Sequence, residues 1–116
     1  MGGLELRIAH GHDPTWRSWG DIMKFGQITG VEKPVARIVQ GTTVLDPADP
    51  VTSFAFLDAV FAQGGTTFDA AQSYLQGDAE RLLGRWMAER RNYDQVLVIT
   101  KGCHHTVDRQ RVTPYD

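Results

Sequence analysis

An acid, a phenol and an amine follow two predicted strands of this chain and could meet at one point. Asp69 ends the first strand, residues 66–69, and Tyr74 follows five positions later. Lys101 follows the second strand, residues 96–100. If the two strands are parallel neighbours, their carboxyl ends share one edge of the sheet, and Tyr74 lies in the loop above. This arrangement suits proton transfer to a carbonyl oxygen.

A tyrosine hydroxyl beside a lysine has the chemistry of a general acid. A free phenol has a pKa of about 10 and donates its proton poorly at neutral pH. A nearby ammonium stabilises the phenolate and lowers the pKa of such a phenol, and an aspartate keeps the amine charged and oriented. On spacing alone, an ordinary salt bridge beside a tyrosine that only packs remains an open alternative.

The other residues with metal-binding or nucleophilic chemistry lie in two loops. His10 and His12 form one group, and Cys103, His104 and His105 form the other. Thiolates and imidazoles bind zinc or copper, but these groups are far apart in sequence and lack a recognisable ligand spacing. We therefore predict exposed loop histidines and no metal site. Cys103 as a nucleophile has no base at a defined position.

Composition limits the class of protein. The chain has 116 residues, of which 41% are hydrophobic and 22% charged, which is typical of one small globular domain. A net charge of −2 gives no basic face for nucleic acid. No apolar run approaches the roughly 20 residues that cross a bilayer, so no membrane span is predicted. A single cysteine and the lack of a signal pattern favour the cytoplasm.

Short apolar runs bounded by turn residues predict the strands that would position the site. Residues 25–28 and 31–33 predict a hairpin, and core strands are predicted at 35–39, 66–69 and 96–100. The last strand is apolar throughout, as in a strand covered on both faces. With a helix between successive core strands, the order β-α-β-α-β fits a doubly wound sheet or the opening of a βα barrel.

Two helices are predicted from their ends and apolar faces. Asp49 is expected to be the N-cap of the first helix with Pro50 at its first position, and glycines 64–65 end it. Asp78 is expected to cap the second helix, and Asn92 to end it in the left-handed conformation. The apolar faces are Phe54, Leu57, Val60 and Phe61 in the first helix and Leu82, Leu83, Trp86 and Met87 in the second.

Five segments together resemble the N-terminal part of an aldo-keto reductase, a (β/α)8 barrel that binds NADP(H) without the Rossmann glycine motif. Residues 23–33 resemble the hairpin that closes the barrel bottom, and PVARIVQGT at 34–42 resembles the first strand with its glycine-threonine turn. FDAAQSY at 68–74 resembles F-D-T-A-x-x-Y, and GDAERLLG at 77–84 resembles G-x-x-E-x-x-L-G. VITKG at 98–102 resembles the third strand with its lysine.

The resemblance implies a role for each site residue. Tyr74 would protonate the oxygen of a small-molecule carbonyl substrate while hydride arrives from NADPH. Lys101 would assist the tyrosine, and Asp69 would pair with Lys101 and lie near the nicotinamide ribose. The turn after the first strand would bind the nicotinamide end of the cofactor through Gly41, Thr42 and Thr43.

The chain departs from the family pattern at two positions. Ala70 stands where threonine is usual, and Leu75 stands where glycine usually follows the tyrosine. The second change affects the loop that aims Tyr74, because glycine adopts positive φ far more readily than leucine. The family's fourth catalytic residue, a histidine after the fourth strand, falls beyond Asp116. His104 and His105 lie in the loop after the third strand and are not expected to replace it.

These features predict the N-terminal portion of a TIM-type (β/α)8 barrel, with an N-terminal hairpin and about three βα units. Residues 1–22 are interpreted as an extension of unknown role, and residues 23–116 as the partial barrel. We expect a fragment of an NADP(H)-dependent carbonyl reductase that has little activity alone, since barrel sites are built jointly by eight strands. A non-catalytic remnant or interaction module of the same fold is the alternative.

Overall fold

The computed structural model describes residues 23–104, which form a two-stranded hairpin followed by a three-stranded α/β unit. The predicted N-terminal extension, His10, His12 and His105 lie outside the described residues. A short left-handed turn, Tyr74–Gly77, precedes the second helix. In chain order the strands and helices are β1 (Phe25–Ile28), β2 (Val31–Ala36), β3 (Gln40–Gly41), α1 (Pro50–Ala62), β4 (Thr67–Asp69), α2 (Asp78–Arg90) and β5 (Leu97–Ile99).

The hairpin is present as predicted, but its second strand is longer than expected. β1 and β2 pair antiparallel around a turn in which Gly30 has φ 86°. Val35 pairs with Gly26 of β1, so the predicted core strand at 35–39 is wrong. Val35 and Ala36 belong to β2 of the hairpin, and the first strand of the core sheet is the shorter β3. An apolar run of this length does not by itself identify its partner strand.

The core strands form a parallel sheet in the order β3-β4-β5. Asp69 of β4 lies opposite Gly41 of β3 on one side and opposite Ile99 of β5 on the other. These three residues therefore form one row at the carboxyl edge of the sheet. The described residues contain two βα units and a third strand, which is consistent with the opening of a (β/α)8 barrel.

The first helix begins as predicted. The carboxylate of Asp49 accepts a hydrogen bond of 3.1 Å from the backbone N–H of Thr52, and Pro50 occupies the first helical position. Hydrogen bonding to the side chain of Thr52 and, to a smaller extent, to its backbone N–H lowers the pKa of Asp49 below its ordinary value. The helix ends just before Gly64, which has φ 86°.

The ends of the second helix differ from the prediction. Asp78 is the first helical residue rather than the cap, and its carboxylate pairs with Arg81 at 2.8 Å. Gly77, with φ 96°, takes the cap position. At the other end Arg91 adopts the left-handed conformation expected of Asn92. Asn92 is instead buried, with its backbone N–H bonded to the helix, because the chain turns inward toward β5.

The core is centred on Trp86, whose side chain is fully buried. Its ring packs edge-to-face against Phe61 of α1 at 5.8 Å and against Phe68 of β4 at 5.5 Å. Both predicted apolar helix faces point into this core. The buried members of the cluster are Leu45, Phe54, Leu57, Phe68, Ala70, Leu82, Leu83, Trp86 and Val96.

A polar contact joins the two helices beside this core. The indole Nε1 of Trp86 donates to Asp58 Oδ1 at 2.8 Å, and Arg90 donates to both carboxylate oxygens of Asp58 at 2.9 and 3.0 Å. The hydrogen bonds from Arg90 lower the pKa of Asp58 below its ordinary value of 3.8, against the smaller effect of burial. A single carboxylate therefore joins α1 to two residues of α2.

Two hydrogen-bonded contacts anchor the hairpin to the α/β unit. The backbone N–H of Ala36 donates to the buried hydroxyl of Thr67 at 2.9 Å. Lys33 Nζ donates to the carbonyl oxygens of Tyr93 and Val96 at 2.5 and 2.9 Å. The hairpin therefore lies against the amino-terminal ends of β4 and β5, opposite the edge that carries Asp69.

We predict that Trp86→Ala lowers the free energy of unfolding by about 3–5 kcal/mol, the usual effect of truncating a large buried aromatic. Urea unfolding of the 116-residue chain, followed by circular dichroism, measures the change. The control is Val51→Ala on the same helical layer, where the residue is 81% exposed and the expected change is within about 0.5 kcal/mol. Equal effects of the two substitutions would contradict this account of the core.

We predict that part of the stability depends on pH through Asp58. Because folding lowers the pKa of Asp58, the stabilisation is complete above the unfolded-state pKa near 3.8 and is lost as the pH falls through the lower folded-state value. The carboxylate is partly exposed, so we expect only about 0.5 kcal/mol. The difference in unfolding free energy between wild type and Asp58→Asn should be constant well above pH 3.8 and should shrink as the pH falls below that value; a difference that does not change with pH would exclude this role.

Candidate active site

The carboxyl ends of β4 and β5 place Asp69 and Lys101 side by side. Parallel pairing continues past the last strand residues, because the N–H of Ala70 donates to the carbonyl of Ile99 at 2.7 Å. The N–H of Gln72 likewise donates to the carbonyl of Lys101 at 2.9 Å. The loop that leads to Tyr74 is thus tied to the segment that carries the lysine.

The structure brings the three predicted catalytic residues into one cluster. Lys101 Nζ donates to Asp69 Oδ1 at 2.5 Å and to the carbonyl oxygen of Ala70 at 2.7 Å. The hydroxyl of Tyr74 donates to Asp69 Oδ2 in a long hydrogen bond of 3.5 Å. Each carboxylate oxygen therefore has one partner, and Asp69 lies between the phenol and the amine.

The lysine lies over the tyrosine ring. Lys101 Nζ is 4.9 Å from the centroid of the Tyr74 ring, a distance at which the ammonium is attracted to the face of the aromatic ring. The hydrogen bond to Asp69 raises the pKa of Lys101 above its ordinary value of 10.5, with smaller contributions of the same sign from Tyr74. Lys101 is therefore a cation at neutral pH, as the predicted chemistry requires.

The predicted cofactor-binding turn follows β3 and lies next to Asp69. A Cβ atom added at Gly41 would meet no atom of the described residues within 4 Å, so this side of Asp69 is open. Thr43 is exposed. Thr42 is fully buried, and its hydroxyl donates to the backbone carbonyl of Asp69 at 2.9 Å. Gly41 and Thr43 thus leave room for a ligand, whereas Thr42 supports the strand end from inside.

Two supporting contacts were missed by the sequence reasoning. One is the hydrogen bond from Thr42 to the backbone of Asp69, for which the sequence carries no signal. The other joins the hydroxyl of Thr100 to the carboxylate of Glu80. Glu80 is the glutamate of the G-x-x-E-x-x-L-G segment at 77–84, and that position was the available signal. This contact links α2 to the residue before Lys101.

Of the other candidate residues, the structure describes Cys103 and His104. Cys103 has an exposed free thiol, and His104 is exposed as well. Within residues 23–104, no group of three or more histidine, cysteine, aspartate or glutamate side chains is arranged to hold a metal ion. Neither described helix has the length and apolar character needed to cross a membrane.

Comparison with known proteins agrees with the motifs around this cluster. The model of the aldo/keto reductase family matches residues 37–115. Norsolorinic acid reductase of Aspergillus flavus is 43% identical over 58 residues, which are 50% of this chain and 15% of that protein. An aldo-keto reductase of Aspergillus calidoustus is 40% identical over 57 residues, 49% of this chain and 14% of the relative.

A third relative comes from another fungus. The aryl-alcohol dehydrogenase [NADP(+)] of Phanerodontia chrysosporium is 42% identical over 53 residues, 46% of this chain and 14% of its own length. The matched residues thus cover roughly a seventh of the length of each of these three relatives. Since the family model matches more than half of the 116 residues, the chain belongs to the aldo/keto reductase family.

Proposed function

We propose that this chain is part of an NADP(H)-dependent reductase that converts a carbonyl group to an alcohol, with Tyr74 as the general acid. The observation that carries the proposal is the meeting of the Tyr74 hydroxyl and Lys101 Nζ on the two oxygens of Asp69. A plain salt bridge needs only the aspartate and the lysine. The tyrosine adds an ionisable proton donor at the open edge of the sheet, as proton transfer to a carbonyl oxygen requires.

Each residue has a defined part in this chemistry. Bound NADP(H) would supply the hydride that forms the new C–H bond. As that bond forms, the O–H bond of Tyr74 breaks and its proton moves to the substrate oxygen, which leaves a phenolate. Lys101 stabilises the phenolate by its positive charge, and Asp69 holds Lys101 in place. The phenolate then regains a proton from solvent, and the active site returns to its starting state.

The residues around Asp69 fit a cofactor at this edge. Gly41 leaves open space beside Asp69, and Thr43 is exposed next to it. We propose that these residues contact the nicotinamide end, and that Thr42 contributes by holding the backbone of Asp69. The NADP(+) in the name of the Phanerodontia chrysosporium relative supports the choice of NADP(H).

The chain corresponds to a small part of its relatives, so we propose that a complete site needs further barrel strands. The 116 residues alone are then expected to have little activity, because strands absent from them would supply the remaining active-site residues. Several apolar side chains, among them Ile38, Val44 and Ile99, are exposed in the described residues. This exposure also fits a non-catalytic interaction module, which remains the second candidate.

The test substitutes Tyr74→Phe in the protein translated from the complete reading frame that contains these residues. Carbonyl-dependent oxidation of NADPH should fall by about 10²–10⁴-fold, because the general acid is lost. NADPH binding, measured by fluorescence titration, should be retained because the ring stays in place. The matched control is Tyr93→Phe, at an exposed tyrosine that precedes β5, whereas Lys101 follows that strand, and its activity should equal that of wild type.

Two results would contradict the proposal. If Tyr74→Phe oxidises NADPH as fast as wild type, Tyr74 is not the general acid. If the wild-type protein neither binds NADPH nor oxidises it with any of a panel of aldehydes and ketones, the interaction module becomes the better description.

A further inference from the structure

The turn that carries Tyr74 into the site contains an unusual backbone conformation. Leu75 and Gln76 have φ angles of 52° and 57°, followed by Gly77 at 96°. The left-handed region is unfavourable for residues with a Cβ atom, and two such residues in succession are rare. A conformation of this kind persists only where surrounding contacts compensate for it.

The compensating contacts are unevenly distributed over the turn. Within it, the N–H of Tyr74 donates to Ala71 at 3.1 Å and the N–H of Gln76 donates to Ser73 at 3.3 Å. Of the two strained residues, Gln76 is exposed, whereas Leu75 is half-buried and packs against the core cluster around Trp86. Leu75 is therefore the strained residue through which the turn is attached to the core.

This attachment lies directly beside the proposed general acid. Leu75 follows Tyr74 in the chain, so the backbone that Leu75 holds also sets the direction of the Tyr74 side chain. The Tyr74 ring lies against Lys101, and its hydroxyl is at hydrogen-bonding distance from Asp69. The backbone N–H of Asp78 donates to the carbonyl oxygens of Leu75 and Tyr74, which ties the turn to α2. Of the turn residues Tyr74–Gly77, Leu75 is the one whose side chain packs on the core cluster.

We propose that Leu75 is a positioning residue for Tyr74: its side chain, packed on the core, holds the left-handed turn that places the phenol over Lys101. The importance of this position for catalysis rests on the proposed function, but the placement of the Tyr74 ring can be tested without measuring catalysis. Leucine at this position thus replaces the conformational freedom of glycine with a tertiary contact.

The experiment uses the ring current of Tyr74 as the readout. In the 116-residue chain, NMR should show the Lys101 Hε protons shifted upfield by the ring below them, and Tyr74→Leu should remove this shift. Leu75→Gly leaves the left-handed conformation accessible but deletes the anchor. It should move the chemical shift of these protons most of the way to its value in Tyr74→Leu, because the ring-current effect falls steeply with distance from the aromatic face.

Two control variants separate anchoring from backbone strain. Leu75→Met keeps an apolar side chain of similar volume and should keep most of the shift. Gln76→Gly relieves strain at the exposed neighbour without touching the core, and should keep the shift in full. Dispersed amide resonances confirm that each variant is folded. If Leu75→Gly does not fold, Leu75→Ala takes its place with an intermediate loss expected.

The proposal is overturned if Leu75→Gly, or Leu75→Ala in its place, retains the full upfield shift, or if Leu75→Met loses as much as Leu75→Gly. Absence of the shift in wild type would also overturn it. These outcomes are independent of the proposed function, because Tyr74→Phe keeps an aromatic ring and hence the shift. Retained NADPH oxidation in Tyr74→Phe would reject the catalytic role while leaving the positioning result unchanged.

Discussion

The structure depends on the packing of one buried indole between two helices and the sheet. Trp86 contacts Phe61 on α1 and Phe68 on β4, and its Nε1 is satisfied by Asp58. A buried indole needs close packing around its ring and a hydrogen-bond partner for its N–H. Here α1 supplies both, through Phe61 and Asp58. Trp86 of α2 consequently contacts both α1 and the central strand β4, and holds the three elements together.

The packing of Trp86 also positions the candidate site. Phe68 packs on Trp86, and the next residue, Asp69, faces the opposite side of the strand because successive side chains alternate. The row formed by Gly41, Asp69 and Ile99 is then set by parallel pairing. Core packing on one face of β4 thereby fixes where the carboxylate emerges on the other.

The amine and the phenol reach the carboxylate by different routes. Lys101 arrives through the regular continuation of parallel pairing, in which backbone hydrogen bonds leave little choice of position. Tyr74 arrives through a left-handed turn that is locally unfavourable and is attached to the core by Leu75. One member of the proposed catalytic pair is thus placed by secondary structure and the other by a tertiary contact.

The sequence alone determined the features that depend on local patterns. The cap of α1 at Asp49, the apolar faces of both helices, and the candidate cluster of Asp69, Tyr74 and Lys101 could all be read from residue types and spacing. Hydrophobic period, capping chemistry and motif order are properties of a short stretch of chain. The β-α-β-α-β order predicted parallel strands, and the family motifs favoured the barrel over the doubly wound sheet.

Tertiary structure decided the features in which distant residues compete for the same partner. Residues 35–39 could have formed a core strand, but pairing of Val35 with β1 assigned the run to the hairpin. The burial of Asn92 moved the left-handed end of α2 to Arg91. The conformation of Leu75 was likewise decided by packing, because a leucine adopts positive φ only where contacts elsewhere in the fold outweigh the local cost.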